Sequence, residues 1–276
     1  MTEFYLLGNT TEYQMFGALI LTEHHALIVD GGLMEDASAL YELLCQKGIN
    51  KIDAWFFTHP HHDHLGAFMA FCRDRRDVTV ERLYLNFPHR ETLRECPAHK
   101  AHGGVERQMW EEIWDLLEGP FRQRFTTIQR GDTFFFDELT LNVLRVYNPA
   151  FDRKRNFVNN SSAVFRLDTP SHRLLLLGDL GVEGGEELMR LATPEELDAD
   201  YTQMAHHGQK GVTRACYEYL RPRRCIWPTP ATIWNNIGAD GPGSGKWDTL
   251  ETRSWMEELG VGEHIIAKDG TFKLLL

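Results

Sequence analysis

A chain of 276 residues with 42% apolar and 25% charged side chains has the composition of an ordinary globular protein and enough length to bury a sizeable core. Its formal net charge of −11 excludes a protein built mainly to grip duplex nucleic acid, whose phosphates need clustered Lys and Arg. A small anionic substrate beside a metal stays compatible with that charge, because a cation makes its own local field.

Residues 4–7, 13–21 and 26–30 read as strands separated by the turns Gly8-Asn9 and Glu23-His24. A helix is expected over 36–47, with Leu40, Leu43 and Leu44 on one face and Gly48 closing it. Residues 53–57, Asp-Ala-Trp-Phe-Phe, form a short apolar run of the kind buried on both faces of a sheet. Next comes Thr58-His59-Pro60-His61-His62-Asp63-His64-Leu65-Gly66, a His-x-His-x-Asp-His pattern. Imidazole and carboxylate are ordinary ligands for zinc, iron and manganese. The spacing suits a tight loop after a strand better than one helical face, with a helix opening at 65–71.

Residues 78–87 give one or two strands. The charged stretch 88–120 carries Trp110, Ile113, Trp114 and Leu117 on one helical stripe, read as a helix packed on the core, with a lid or substrate insertion at about 88–125 as the alternative. A hairpin is expected over 134–136 and 139–147, and a polar loop over 148–156. A strand follows Asn159-Asn160-Ser161-Ser162, and another over 173–177 ends in Gly178-Asp179. Helices are expected at 185–191, 213–220 and 248–259, and strands at 201–205 and 224–227, the former ending in His206-His207-Gly208. Residues 264–267 and 271–275 read as a terminal hairpin across Asp269-Gly270. Five scattered cysteines, Cys45, Cys72, Cys96, Cys216 and Cys225, include no C-x-x-C pair, so neither a disulfide framework nor a zinc finger is indicated. No basic leader or transmembrane-length apolar run occurs, so a cytoplasmic protein with no membrane partner is expected, as one domain over 1–276.

The metal-ligand pattern, with the later Gly178-Asp179 and His206-His207-Gly208 in this order, resembles the metallo-β-lactamase superfamily. The resemblance implies an α/β (α+β) fold, the four-layer αββα sandwich. It implies two divalent metal ions, Zn, Mn or Fe: His59 and His61 on the first, Asp63 and His64 on the second, Asp179 bridging both. The last ligand of the second metal would be His207, with His206 facing substrate, although the two could be exchanged. Asp30 would orient a ligand histidine from outside the shell. His62 falls at a variable position and is expected to face solvent.

The segments around Asn160, Asp179 and His207 most resemble the branch containing the metallo-β-lactamase-like domain of DNA-uptake (competence) channel proteins and the phosphorylcholine esterases. That branch implies hydrolysis of a small phosphodiester or phosphoester by a metal-bound hydroxide. The alternatives are a lactone, thioester or β-lactam hydrolase, or a metal-binding protein without catalysis. Asp63, Asp179 and His206 are the expected catalytic groups. One departure stands out. The family's third histidine for metal one has no counterpart at the strand start, and His89, His99, His102 and His172 are the other histidines between His64 and Asp179. Asn160 is the expected occupant of that place, which would leave the first site weaker, partly occupied and more hospitable to manganese than zinc.

Overall fold

The computed structural model describes residues 1–74, 77–95, 105–152 and 156–276. Cys96, His99 and His102 lie outside these residues. Among the described residues, two seven-stranded sheets face one another. The first runs β16-β1-β2-β3-β5-β7-β8 and the second β15-β14-β13-β12-β11-β10-β9. Their strands are β1 (Glu3–Leu6), β2 (Gly17–Leu21), β3 (Ala26–Asp30), β5 (Ala54–Phe56), β7 (Leu83–Leu85), β8 (Phe125–Thr127) and β16 (Phe272–Leu275) in the first. The second holds β9 (Thr133–Phe136), β10 (Leu139–Arg145), β11 (Val164–Asp168), β12 (Arg173–Leu176), β13 (Tyr201–Gln203), β14 (Arg224–Trp227) and β15 (Glu263–Ile266). A short parallel pair, β4 (Lys51–Ile52) and β6 (Thr79–Val80), stands apart.

Side-chain alternation builds the layers. Leu27, Val29, Ala54 and Phe56 point between the sheets and meet Phe165, Leu167, Leu174 and Leu176. Their neighbours Ile28, Trp55 and Phe57 point outward, onto the helices Ala37–Gln46 and His62–Asp74. Leu175, Leu177 and Trp227 do the same on the other side, under Val182–Leu191, Arg214–Leu220 and Thr249–Glu258. The result is helix, sheet, sheet, helix. Trp110, Ile113 and Leu117 of the helix Val105–Glu118 are buried in the first helical layer. No helix among the described residues is long and apolar enough to cross a membrane.

Each sheet is antiparallel on one side and parallel on the other: β3, β5, β7 and β8 run together, as do β12, β13, β14 and β15. The carboxyl ends of β3, β5, β12 and β13 meet at one edge of the sandwich. Loops at such ends are where α/β sheets collect functional groups.

Three expectations need correction, and one strand has no counterpart among them. The terminal hairpin does not exist. β15 pairs parallel with β14, whereas β16 crosses to the first sheet and pairs antiparallel with β1, Glu3 opposite Leu275. The turn Ala267–Asp269 and Gly270, at φ 105°, redirect the chain, and burial of Leu274 and Leu276 between the sheets rewards the crossing. Residues 13–16 are not strand; they loop toward the site before β2 begins. The expected polar loop holds a short helix, Pro149–Asp152, and another, Phe157–Asn160, supplies the turn before β11. β8 was not foreseen, because Phe125-Thr126-Thr127 is half-buried to exposed and carries no alternation longer than three residues.

Candidate metal centre

Phe57 leads the chain out of the first sheet at Thr58, and the helix His62–Asp74 starts inside the ligand pattern. Asp63 and His64 therefore occupy the first helical turn rather than the preceding loop, with the His64 and Leu65 amides bonded to the His61 carbonyl at 3.1 and 3.0 Å. Consecutive helical positions diverge by about 100°, so the two side chains approach the site from different directions. The helix N-terminus also favours the Asp63 carboxylate.

Hydrogen bonds fix which nitrogen each imidazole offers. Asp30, buried at the end of β3, accepts from the Thr58 amide at 2.8 Å, the Thr58 hydroxyl at 2.7 Å and His64 Nδ1 at 2.7 Å. His64 Nε2 is thereby left for the site. The Thr58 hydroxyl, having donated its proton, accepts from His59 Nδ1 at 3.0 Å and turns His59 Nε2 the same way. His207 Nδ1 donates to the Pro228 carbonyl at 2.8 Å, so its Nε2 faces inward too. A carbonyl or carboxylate on the far nitrogen is the usual support for a metal-ligating histidine.

Asp179 is held by its backbone. Gly178 sits at φ 57°, and a Cβ there would lie 2.9 Å from Thr58 Cβ, so only glycine admits the turn. Gln203 Oε1 accepts from the Leu177 and Gly178 amides at 2.8 Å, and Ser162 Oγ accepts from the Asp179 amide at 3.1 Å. After β13 the chain takes three left-handed residues in succession: His206 at φ 51°, His207 at φ 56° and Gly208 at φ 74°. The two histidines each cost about 1 kcal/mol in that region, and the contacts of both residues oppose that cost. The His206 amide bonds to Gly178 O at 3.1 Å and the Thr229 hydroxyl to His207 O at 2.7 Å.

These elements bring His59, His61, Asp63, His64, Asp179 and His207 together. His64 Nε2 lies 3.2 Å from Asp179 Oδ1; His207 Nε2 lies 3.2 Å from Asp63 Oδ2 and 3.3 Å from Asp179 Oδ2. His59 Nε2 is 3.0 Å from His61 Nδ1 and 3.8 Å from Asp179 Oδ2. Two donor groups result: Asp63, His64, Asp179 and His207, and His59, His61 and Asp179. His64 Nε2, His207 Nε2 and both Asp179 oxygens are buried with no hydrogen-bond partner. Orphaned buried donors and acceptors are costly, and convergence of four on one point is what a cation would satisfy. The residues present fit a metal pair.

Charge distribution in the cluster is strained without one. Burial lowers both His59 and His61 below the ordinary imidazole range, for His59 well below with help from the His64 charge. Burial opposes the charge on His207 as well, but the Asp179 and Asp63 carboxylates overcome it and hold its pKa at about 9. His64 is raised well above its usual value against the same burial, by Asp179 and Asp30. Asp63 and Asp179 stay well below the carboxylate range; burial resists this, and the neighbouring imidazoles win.

His206 is not brought to the carboxylates. It is half-buried, with Nδ1 bonded to Lys210 O at 3.2 Å and Nε2 at 3.4 Å from Asn159 Nδ2. Asn160 differs from expectation: its carboxamide oxygen accepts from the Gly181 and Gly184 amides at 3.0 Å each, tying down the start of the helix Val182–Leu191. Unpaired amides at a helix start claim a nearby oxygen before a cation can. His62 does not face solvent freely. The helix Val105–Glu118 lies over the loop, with Glu106 at 3.0 Å from His62 Nδ1 and Trp110 Nε1 donating to Pro60 O at 2.6 Å. His89 packs on Trp114 and His172 on Tyr201.

Residues 16–151 match the family model described as the metallo-beta-lactamase superfamily. The chain carries a metallo-β-lactamase superfamily domain. ComE operon protein 3 of Bacillus subtilis (strain 168) is 28% identical over 190 residues, 68% of this chain and 21% of that protein, so the chain spans about a fifth of the relative's length. The metallo-beta-lactamase fold protein YhfI from Bacillus subtilis superposes with a TM-score of 0.58 at 14% identity over all of both chains. Unliganded yeast PDE1 gives 0.56 at 13%, over 100% of this chain and 99% of that one. A diphosphatase from the PhnP family gives 0.51 at 14%, over 100% and 98%. At such identities the likeness establishes the fold. Asp179 and His207 lie beyond the span matched to the family model, and the geometry above alone brings them to His59, His61, Asp63 and His64.

Several residues that shape the site carry no sequence signal. Gln14 Nε2 donates to Asp63 Oδ2 at 3.1 Å from the loop before β2, and Gln209 in turn donates to Gln14. Arg145, fully buried, donates to the Asn160 and Ser162 carbonyls at 2.6 and 2.9 Å and pairs with Glu187 at 2.8 Å. Only Arg145 offered a hint, as a charge ending an apolar strand.

Proposed function

We propose that this chain is a metal-dependent hydrolase of a small, anionic phosphodiester or phosphoester. The observation that carries the reading is the convergence of the orphaned atoms of His64, Asp179 and His207 beside Asp63, His59 and His61. A divalent metal pair at that place supplies Lewis acidity, activating water near neutral pH and offsetting charge on the phosphoryl group. Asp179, the member shared by both donor groups, would serve both cations. Asp30, Thr58 and the Pro228 carbonyl hold His64, His59 and His207 in the tautomers that binding requires. His206 donates from Nδ1 to Lys210 O and turns its Nε2 lone pair toward Asn159 Nδ2 at 3.4 Å, so beside the site it would accept a proton and not supply one. The phosphoester class is supported by the resemblance of the segments around Asn160, Asp179 and His207 to the branch of competence-channel domains and phosphorylcholine esterases, and is compatible with the relative ComE operon protein 3 and with a diphosphatase sharing the fold.

With Mn²⁺ or Zn²⁺ restored, the protein is expected to hydrolyse bis(4-nitrophenyl) phosphate and to ignore lactone and β-lactam substrates. Turnover of lactones alone would transfer the reading to carbonyl chemistry. A second expectation concerns protons. His207 in the metal-free protein has a pKa of about 9 against an ordinary 6.5, so its protonated form stabilises that state below 6.5 and the contribution disappears as pH rises through 9. A cation must displace this proton. Metal affinity should therefore keep rising to about pH 9 instead of levelling off near neutrality. Titration calorimetry in buffers of different ionisation enthalpy reads the released protons; uptake at pH 7.5 with none released would contradict the assignment of His207.

A further inference from the structure

The two donor groups are unequal. Asp63, His64, Asp179 and His207 offer four atoms to one position, while His59, His61 and Asp179 offer three to the other, one short of a tetrahedral shell. The turn Asn159–Ser162 is bonded to segments that carry members of both groups. Its continuation is bonded to the metal loop, Ala163 N to Thr58 O at 2.8 Å, directly before His59. Ser162 Oγ holds the Asp179 amide at 3.1 Å, and Asn159 Nδ2 reaches His206 Nε2 at 3.4 Å, next to His207. The turn is thus bracketed by neighbours of three ligands.

Within the turn the two asparagines divide their work. Asn160 spends its oxygen on the Gly181 and Gly184 amides. Asn159 is buried, with its nitrogen 3.3 Å from Asn156 Oδ1 and 3.4 Å from His206 Nε2. Those two bonds set the plane of the carboxamide and leave Oδ1 buried with no partner. A buried carbonyl oxygen without a donor is costly, so a group that satisfies it is expected.

We propose that Asn159 Oδ1 is the further protein donor, directly or through one water, to a cation held by His59, His61 and Asp179. A neutral oxygen beside two imidazoles and a shared carboxylate makes that position weaker than its neighbour and relatively hospitable to manganese. The Arg145–Glu187 pair acts behind it, because Arg145 clamps the turn through the Asn160 and Ser162 carbonyls.

The inference rests on the metal-dependent reading, and its test reads metal affinity and not turnover. Chelator competition with Mn²⁺ and Zn²⁺ on the full chain should reveal a tighter and a weaker class in the wild type. Asn159→Ala should weaken the weaker class by about tenfold or more and leave the tighter class alone. Asn159→Asp should tighten the weaker class, since a carboxylate replaces a neutral oxygen. Asn159→His should shift its preference from Mn²⁺ toward Zn²⁺. If Asn159 served only to orient His206 through its nitrogen, Asn159→Asp would lose that donor and gain no metal affinity, and the proposal would fall. It would fall equally if both classes were unchanged in a natively folded Asn159→Ala protein. Should Asn159→Ala not fold, the aspartate and histidine variants decide alone. A wild type that takes up no metal would overturn the proposed function as well.

Discussion

Asp179→Ala is expected to abolish hydrolysis and to empty the site of metal. Asp179 is the residue common to both donor groups, and both of its oxygens are buried among the imidazoles of those groups. Removing it takes a carboxylate from each group at once and leaves the protons of His64 and His207 held by Asp30 and Asp63 alone. The fall in kcat should exceed the roughly 10²–10³-fold that follows loss of one stabilising donor in other enzymes. Asp63→Ala is the instructive comparison. Asp63 belongs to one group only, so that variant should lose one metal, lose turnover and keep the fold, because its side chain supports no apolar packing. Metal content by elemental analysis, read beside turnover of bis(4-nitrophenyl) phosphate, separates the two. An Asp179→Ala protein that retained two metals would show that the carboxylate does not bridge.

Glu187→Ala should be among the most destabilising changes of a polar residue outside the cluster. The Glu187 carboxylate contacts Arg145 Nε at 3.0 Å and Nη2 at 2.8 Å, and accepts from Asn148 at 2.6 Å. Arg145 is fully buried, and removing a buried partner carboxylate typically costs about 3–5 kcal/mol. For a chain of this size that corresponds to a fall in Tm on the order of 10 °C. The metal-free protein, unfolded in urea, gives the value without contribution from bound cations. An Arg145→Met/Glu187→Leu double variant should recover most of the loss, because apolar side chains of similar volume need no pairing. A single-variant loss under about 1 kcal/mol would mean that water reaches the pair.

The metal loop was legible in the sequence because its residues are neighbours in the chain and their chemistry is unusual. Asp30, Asp179 and His207 became legible only through the resemblance, since an acid or histidine after a strand is ordinary by itself. What escaped was decided by partners distant in sequence. Asn159 and Asn160 are chemically identical, and the handedness of one short helical turn determines which faces the glycine amides. Gln14 and Gln209 are unremarkable polar residues until folding places them beside Asp63. The false hairpin fails for the same reason. Two apolar runs across Asp-Gly look complementary, but β14 and β1 each present an open edge, and both runs pair there instead. The ends of the helix His62–Asp74 were misjudged because histidine and aspartate at a helix start resemble a loop in composition.

The crossing of β16 bears on how the protein is made. A ribosome delivers β1 well before β16, so the outer edge of β1 waits for its neighbour while the residues between them emerge, on the order of tens of seconds at ordinary elongation rates. Over that interval the nascent chain can assemble both donor groups, since their residues end at His207. It cannot close the first sheet, nor bury Leu274 and Leu276, nor form the bond from the Leu276 amide to Thr2 O. A bare strand edge beside an incompletely covered apolar face is the kind of surface that other chains join. Residues 272–276 thus act as a seal, and until they arrive that edge stays open to other chains.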